Sequence, residues 1–265
     1  MLHVNFLDLS LFASHILKKH RRLPDMIKIY LTPFGESMTL KLINKVHLTD
    51  NVYSFIFQPS EPLKMQAGQF VRVELVHDNP DAEGTKRWFT NSAAPYEGIL
   101  QITTRVTSST FKKALSNLAE GSEDLLLVED PEGDFVWQSS KQALVFIAGG
   151  IGITPFYSML KQRLHDNLNL AVTLIYAART DAIPFKDELT KWQDSHPEFS
   201  VKYVIGERLD LFKLNELVPS LKQSLVYLSG PEEMVEALGN DLVKDGLAEA
   251  QLKQDFFPNY NNLNY

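Results

Sequence analysis

Hydrophobic and polar positions alternate in short runs along the chain from about Met38. Turn residues such as Thr49-Asp50-Asn51 separate the runs. Short strands at such close intervals are typical of a small antiparallel β-barrel or sandwich. The predicted strands cover 38–48, 52–57, 69–75, 87–90, 100–105 and 125–128, and a short helix is predicted to begin near Ser109.

After Trp137 the pattern changes to strands that alternate with helices. Strand-like runs cover 143–148, 171–177, 201–205 and 225–229, and a last run lies near 248–253. Apolar residues at helical spacing lie between them. This alternation predicts a doubly wound parallel α/β domain. We place the domain limits at 1–37 for an N-terminal extension, 38–138 for the barrel and 139–265 for the α/β domain.

Residues 1–36 combine helical spacing of apolar residues with a basic run at 18–22. The charge follows the apolar part, which excludes a secretory signal. The apolar part is also too short to span a bilayer, and Asp8 interrupts it. Two interpretations stay open. We slightly favour an amphipathic helix packed on the body of the protein over a helix in peripheral contact with a membrane surface.

Composition narrows the function classes. The chain has 265 residues and a net charge of −7, which disfavours nucleic acid as its main partner. It contains no cysteine, which excludes disulfides, thiolate catalysis, cysteine-ligated zinc and iron–sulfur clusters held by the protein. This composition fits a cytoplasmic protein, with membrane association left open. The seven histidines are scattered, so no metal site is predicted.

A glycine-rich stretch, Ala148-Gly149-Gly150-Ile151-Gly152-Ile153-Thr154-Pro155, follows a predicted strand and precedes a predicted helix. Such a turn lets the backbone approach an anion at a helix N-terminus, with Pro155 at the first helical position. Arg179 stands where an acidic residue would bind ribose in the usual dinucleotide fingerprint. Ser229-Gly230-Pro231 forms a second strand–turn–helix segment. Taken singly, each segment is also compatible with a tight connection or a surface charge.

The barrel carries a second candidate, Arg87-Trp88-Phe89-Thr90. Strand alternation places Arg87 and Phe89 on one face and Trp88 and Thr90 on the other. Ser109 is a plausible N-cap, and the helix start behind it is a second anion-binding position. The alternative is that both aromatic residues belong to the core, that Arg87 is a solvated charge and that Ser109 only caps.

Taken together, these segments resemble the ferredoxin–NADP reductase superfamily, in which a flavin-binding barrel precedes a pyridine-nucleotide-binding domain. The resemblance covers about residues 38 to 260. It rests on Gly68-Gln69-Phe70, Arg87–Thr90, Ile102–Arg105 with Ser109-Thr110-Phe111, Gly133-Asp134-Phe135, Gly149–Pro155, Tyr176–Arg179, Ser229-Gly230-Pro231 and the final Phe256–Tyr260.

The resemblance implies FAD and either NADPH or NADH as cofactors. It places Thr90 near the flavin N5 and Ser229 near the reacting centre, as the catalytic positions. It also implies that Arg87 neutralises the flavin phosphates and that Phe89 stacks beside the isoalloxazine ring. The cofactor-binding positions that it implies are Arg87, Trp88, Phe89, Thr90, Ile102, Thr103, Arg105, Ser109, Thr110, Gly149, Gly150, Gly152, Ile153, Thr154, Pro155, Arg179, Gly230, Pro231, Phe257 and Tyr260.

The expected function is therefore hydride transfer from NAD(P)H to FAD, with electrons passed on to a separate acceptor. A ferredoxin, a flavodoxin, a haem protein or another small carrier would serve as the acceptor. Two alternatives stay open. One is a flavin or ferric reductase with diffusible acceptors. The other is a nucleotide-binding subunit of a membrane complex, anchored through residues 1–36.

Overall fold

A computed structural model of the chain describes residues 37–257. The predictions for residues 1–36 and for Tyr260 lie outside these residues. The described part contains one antiparallel and one parallel sheet. The antiparallel sheet is built from β1 (Met38–Thr49), β2 (Val52–Pro59), β3 (Phe70–Leu75), β4 (Lys86–Thr90), β5 (Leu100–Arg105) and β6 (Leu125–Leu127), and α1 (Thr110–Asn117) lies between its last two strands.

The antiparallel sheet curls into a barrel. Its strands run in the order β4-β3-β6-β1-β2-β5, and a bridge between Asn91 and Ile102 joins the two outer strands. The Asn91 carboxamide oxygen accepts hydrogen bonds from the N–H groups of Ala93 and Gln101. Alternating residues of every strand point inward and form one apolar core, which also includes Phe111 and Leu115 of α1. The period-two pattern of the sequence therefore encodes the barrel.

The parallel sheet contains β7 (Leu144–Gly149), β8 (Val172–Ala178), β9 (Phe199–Ile205), β10 (Leu225–Pro231) and β11 (Leu252–Phe257), in the order β11-β10-β7-β8-β9. The helices are α2 (Ile153–His165), α3 (Lys186–Ser195), α4 (Leu211–Leu217) and α5 (Glu232–Lys244). One core includes residues of α2 and α3, and the other includes residues of α4 and α5, so both faces of the sheet are covered. The predicted fold class, a barrel followed by a doubly wound sheet, is confirmed.

Some details of the prediction are wrong. The last strand begins at Leu252, because residues 249–251 form a 3-10 turn, and helix α4 was not predicted at all. Pro155 is the third residue of α2 rather than the first, since the helix begins at Ile153. The position is still tolerated, because the first four N–H groups of a helix have no intrahelical acceptor.

Direct contacts fix the barrel against the parallel sheet. The buried Ser158 hydroxyl of α2 donates to the Ala93 carbonyl at 2.7 Å. Next to it, Lys161 forms an ion pair of 2.6 Å with Glu97. These contacts join α2 to the segment between β4 and β5, and so hold the two sheets in one arrangement.

Candidate functional site

A cavity of about 710 Å³ opens between β4, the start of α1 and the end of β11. We call it the barrel pocket. Five of the predicted site residues lie on its wall, namely Arg87, Trp88, Phe89, Thr90 and Ser109. Its wall also includes residues that sequence reasoning did not select, among them Asp81, Glu83, Lys112, Asp255 and Phe256.

Arg87 is enclosed by the loop that precedes it. Its Nη2 donates to Asp81 at 2.6 Å, and its Nε pairs with Glu83 at 2.9 Å. The remaining nitrogen, Nη1, donates to the carbonyls of Glu83, Gly84 and Lys86 at 2.9, 2.9 and 2.8 Å. The side chain is only 10% exposed. The alternative in which Arg87 is a solvated charge is therefore wrong.

The helix start beside Arg87 holds the same carboxylate. Asp81 Oδ2 accepts hydrogen bonds from the Thr110 N–H at 3.1 Å and the Thr110 hydroxyl at 3.0 Å. Ser109 occupies the N-cap position, but its hydroxyl makes no capping hydrogen bond and lies 3.5 Å from Asp81 instead. The N-terminus of α1 is therefore capped by Asp81 rather than by Ser109. The carboxylate also places a negative charge at the positive end of the helix dipole.

Lys112 is a buried cation on the same wall, with 6% of its surface exposed. Its burial lowers its pKa to about 7, and the positive charges of Arg87 and Arg105 act in the same direction, while Glu83 opposes them. Lys112 and Arg87 thus lie on one wall of the pocket, together with the carboxylates of Asp81 and Glu83. No sequence pattern distinguishes Lys112, apart from its place in the first turn of α1.

The two aromatic residues of β4 have different roles. Phe89 is buried, and its ring centroid lies 5.9 Å from that of Phe111. Trp88 points to the other face, where it is 40% exposed and packs edge-on against Phe70. Of the two, only Phe89 belongs to the core. The alternation predicted for β4 thus agrees with the structure.

Three predicted positions on β5 do not line the barrel pocket. Ile102 is fully buried in the barrel core. The Thr103 hydroxyl lies in a buried network, 2.7 Å from the Ser54 hydroxyl and 2.6 Å from that of Ser92. Ser54 and Thr103 are direct partners in the pairing of β2 with β5. Arg105 donates to the Asn51 side chain instead.

A second cavity, of about 650 Å³, lies at the carboxyl edge of the parallel sheet. We call it the sheet-edge pocket. Gly149, Arg179 and Pro231 line it, as does Arg208. Carboxylates alternate with these cations around the wall, at Glu207, Asp210, Glu233 and Asp241. Carboxyl edges of open α/β sheets are the usual ligand positions in such folds.

The glycine motif shapes the junction of β7 and α2. Gly150 adopts a left-handed φ of 49°. A Cβ on Gly152 would lie 2.2 Å from the Ser229 carbonyl oxygen, so only glycine permits this approach of two backbones. Thr154 is buried and its hydroxyl donates to the Ile151 carbonyl. Residues 153–155 form the first turn of α2 and do not line the sheet-edge pocket.

Asp255 is the main acidic residue that sequence reasoning missed. It lines the barrel pocket, and the Ser229 hydroxyl donates to its carboxylate at 3.3 Å. Burial raises the pKa of Asp255 to about 6, the Ser229 hydrogen bond opposes this, and the charge of Asp134 adds to it. Ser229 itself is fully buried. The predicted catalytic serine therefore lies behind the pocket wall, and the carboxylate faces the cavity.

Strand pairing brings the two pockets together. Ser229 pairs with Asp255 and Gly230 pairs with Phe256, and both partners on β11 line the barrel pocket. The next residue of β10, Pro231, lines the sheet-edge pocket. Neighbouring strands are about 4.8 Å apart and residues rise by about 3.3 Å, so the two walls meet within one or two residue positions. Residues that line the two pockets are therefore neighbours along β10 and β11.

Comparisons with known proteins agree with this architecture. The oxidoreductase NAD-binding domain family matches residues 146–239. The flavohemoprotein of Burkholderia sp. (strain TH2) is 27% identical over 231 residues, which cover 80% of this chain and 57% of that protein. The glycine betaine monooxygenase reductase subunit of Chromohalobacter salexigens is 26% identical over 238 residues, or 82% and 63% of the two chains.

Among solved structures, a ferredoxin NADP+ reductase from Neisseria gonorrhoeae with bound FAD and NADP matches with a TM-score of 0.69 at 20% identity, over 83% of this chain and 97% of that one. The match to the NAD-binding domain family and this likeness in fold both support the predicted resemblance to the ferredoxin–NADP reductase superfamily. The matched family and the reductase subunit also support the predicted enzyme class, an FAD-dependent NAD(P)H oxidoreductase, and its two cofactors.

The chain spans 57%, 60% and 58% of the lengths of three flavohemoproteins that it matches. Within residues 37–257, no helix is long and apolar enough to cross a membrane. The same residues contain no cluster of three or more acidic or histidine side chains that could hold a metal ion.

The hydrogen-bond donors beside the barrel pocket fit a flavin phosphate. Asp81 serves as a stand-in anion, since a guanidinium, a helix N–H and a hydroxyl already hold its carboxylate. Phosphate oxygens take the same donors. Of the two predicted C-terminal positions, Phe257 ends β11, and its neighbour Phe256 provides an aromatic ring on the pocket wall.

Proposed function

We propose that this protein takes a hydride from NAD(P)H onto FAD and passes electrons to a separate acceptor protein. The meeting of the two pockets along β10 and β11 carries the proposal. Bound FAD would accept the hydride and release electrons one at a time. The chain would have to place nicotinamide C4 close to flavin N5 and exclude water there.

Separate residues would bind the flavin, bind the nicotinamide dinucleotide and hold a proton. Arg87 and the start of α1 would bind the flavin phosphates, and Thr90 is proposed to lie near the reacting end of the flavin. Gly149 and Pro231 would bind the nicotinamide dinucleotide. Asp255 can hold a proton at its carboxyl oxygen near pH 6, and the Ser229 hydroxyl orients that carboxylate. Ser229 and Thr90 remain the proposed catalytic positions.

Anaerobic titration of the FAD-loaded protein with NADH and with NADPH tests this function. Bleaching of the flavin absorbance by either coenzyme supports it, and a protein that binds no FAD at saturating concentration refutes it. We propose Arg179, with Arg208 beside it, as the contact to the 2′-phosphate of NADPH. Arg179→Ala should then raise the KM for NADPH at least tenfold, as expected for a lost charge-assisted contact, and leave that for NADH unchanged.

The acceptor is proposed to be a protein, because a curated relative is the reductase subunit of a monooxygenase. A second candidate, a flavin reductase with diffusible acceptors, is favoured by the carboxylates that already occupy Arg87. Gel filtration separates the two. A reductase with bound FAD elutes yellow, and a flavin reductase elutes colourless but turns over with free flavin.

We further propose the domain limits 38–138 and 139–265, and we keep peripheral membrane contact through residues 1–36 as the alternative to their packing on the body. The contact rests on the basic run Lys18-Lys19-His20-Arg21-Arg22. Co-sedimentation of the full chain with anionic vesicles tests it. Glu substitutions at the four lysines and arginines should abolish the co-sedimentation, and equal sedimentation of both proteins would refute the contact. Limited proteolysis near 138–139 tests the boundary.

A further inference from the structure

The loop between β3 and β4, residues 77–85, folds over the barrel pocket. We call it the acidic loop, because Asp78, Asp81 and Glu83 lie on it. Through Asp81 it contacts both the arginine and the helix start that are proposed to bind the flavin phosphates. The backbone of Asp81 is also fixed, since its N–H donates to the Thr110 hydroxyl at 3.0 Å.

The contacts of Asp81 are those of a bound phosphate. One carboxylate oxygen accepts from the guanidinium of Arg87, and the other accepts from the N–H and the hydroxyl of Thr110. Glu83 takes the remaining edge of the same guanidinium. Every N–H-bearing nitrogen of Arg87 therefore already has an acceptor on the chain itself.

A flavin phosphate and the Asp81 carboxylate exclude one another here. Both are anions that need the same donors, and two anions at one site repel strongly. Burial alone would raise the pKa of Asp81, but hydrogen bonds from Thr110 and Arg87 lower it below its ordinary value. The Asp81 carboxylate therefore stays ionised at neutral pH, and protonation does not release it from Arg87 and Thr110.

We propose that the acidic loop is a displaceable internal ligand, and that the phosphates of the flavin bind only after Asp81 has left Arg87 and the start of α1. The proposal rests on the proposed function, because it takes the barrel pocket as the flavin site. The loop would hold the cradle in its binding geometry when no flavin is bound. It would also make the affinity for FAD depend on how readily the loop opens.

The effect on affinity follows from the population of the open loop. The apparent dissociation constant equals the intrinsic one divided by the fraction of molecules with the loop open. If one molecule in about ten is open, removal of the Asp81 charge strengthens FAD binding by up to about tenfold. Riboflavin has no phosphate and does not need the open loop, so its affinity stays unchanged.

Asp81→Asn tests the proposal, since it removes the charge but keeps the shape. Asp78→Asn is the matched control, because among the described residues Asp78 makes no hydrogen bond or ion pair and lies on the same loop. Dissociation constants come from quenching of flavin fluorescence. We expect about tenfold tighter FAD binding in Asp81→Asn only, with riboflavin binding within about twofold of the wild type in all three proteins. Equal or weaker FAD binding by Asp81→Asn overturns the proposal.

Amide hydrogen exchange of the wild-type protein is a second measurement, which does not depend on a variant. Ligands normally slow exchange at their site, but here FAD should accelerate it at the N–H groups of Asp81 and Glu83, whose acceptors are Thr110 and Asp81. Slower exchange at both amides, with FAD bound, overturns the inference and leaves the proposed function intact. Absence of FAD binding in both the wild type and Asp81→Asn refutes the proposed function and the inference together.

Discussion

Replacement of Gly152 by alanine should separate two backbones that now touch. The new Cβ would lie 2.2 Å from the Ser229 carbonyl oxygen, 2.5 Å from the carbon of that carbonyl and 2.7 Å from Gly230 Cα. Carbon atoms in contact are normally about 3.5 Å or more apart, so the start of α2 and the end of β10 must move apart by about 1 Å. None of the three atoms belongs to a side chain that could rotate away.

Gly149→Ala is the matched control, because its clash is of another kind. Its Cβ would meet the sulfur of Met234 at 2.5 Å, and methionine is a flexible side chain that can turn aside. We expect a loss of about 3 kcal/mol for Gly152→Ala and about 1 kcal/mol for Gly149→Ala. In thermal unfolding followed by circular dichroism, Gly152→Ala should lower Tm by roughly 6–12 °C. Equal Tm values for the two variants would refute the reasoning that backbone contact sets the cost.

Three other changes should have measurable effects. Folding raises the pKa of Asp255 from 3.8 to about 6, so the folded chain holds this proton more tightly, and the resulting stability is present below about pH 4 and lost as the pH rises to 6. Asp255→Asn should therefore raise Tm relative to the wild type at pH 8 but not at pH 4, and a Tm difference that does not vary with pH would contradict this. Ser158→Ala leaves the buried Ala93 carbonyl without its donor and should cost about 1–3 kcal/mol in urea unfolding. Tyr227→Phe removes the hydroxyl that donates to the Val136 carbonyl and accepts from the Gln138 N–H, and should cost about 2 kcal/mol, whereas wild-type stability would show that these groups find other partners.

Much of the fold could be predicted because most strands are defined by local patterns. Residues of barrel strands such as β4 and β5 alternate between the two faces of the sheet. Strands buried on both faces, such as β7 and β8, are apolar runs. Helix α4 has only seven residues, which gives too short a window for a periodic pattern. The start of β11 depends on its pairing with β10, which no local pattern contains.

Site residues that belong to a sequence motif could be predicted. Site residues whose role depends on tertiary contacts could not. The sequence identified Arg87 and the glycine turn because their residue types are unusual for their positions. Asp81 and Asp255 are single acidic residues, one in a polar loop and one in a strand. Their importance arises from partners about thirty residues away along the chain, Thr110 and Ser229, at separations of 29 and 26 residues.

The closure between β4 and β5 also affects how the folded molecules behave toward one another. A sheet with free edges exposes unpaired N–H and C=O groups, and other chains can extend it. Here the bridge at Asn91 and the carboxamide bonds beside it join the two outer strands of the barrel. A chain that lost this carboxamide would retain its core but expose two strand edges. The consequence would be self-association that grows with protein concentration, well below the temperature at which the barrel unfolds.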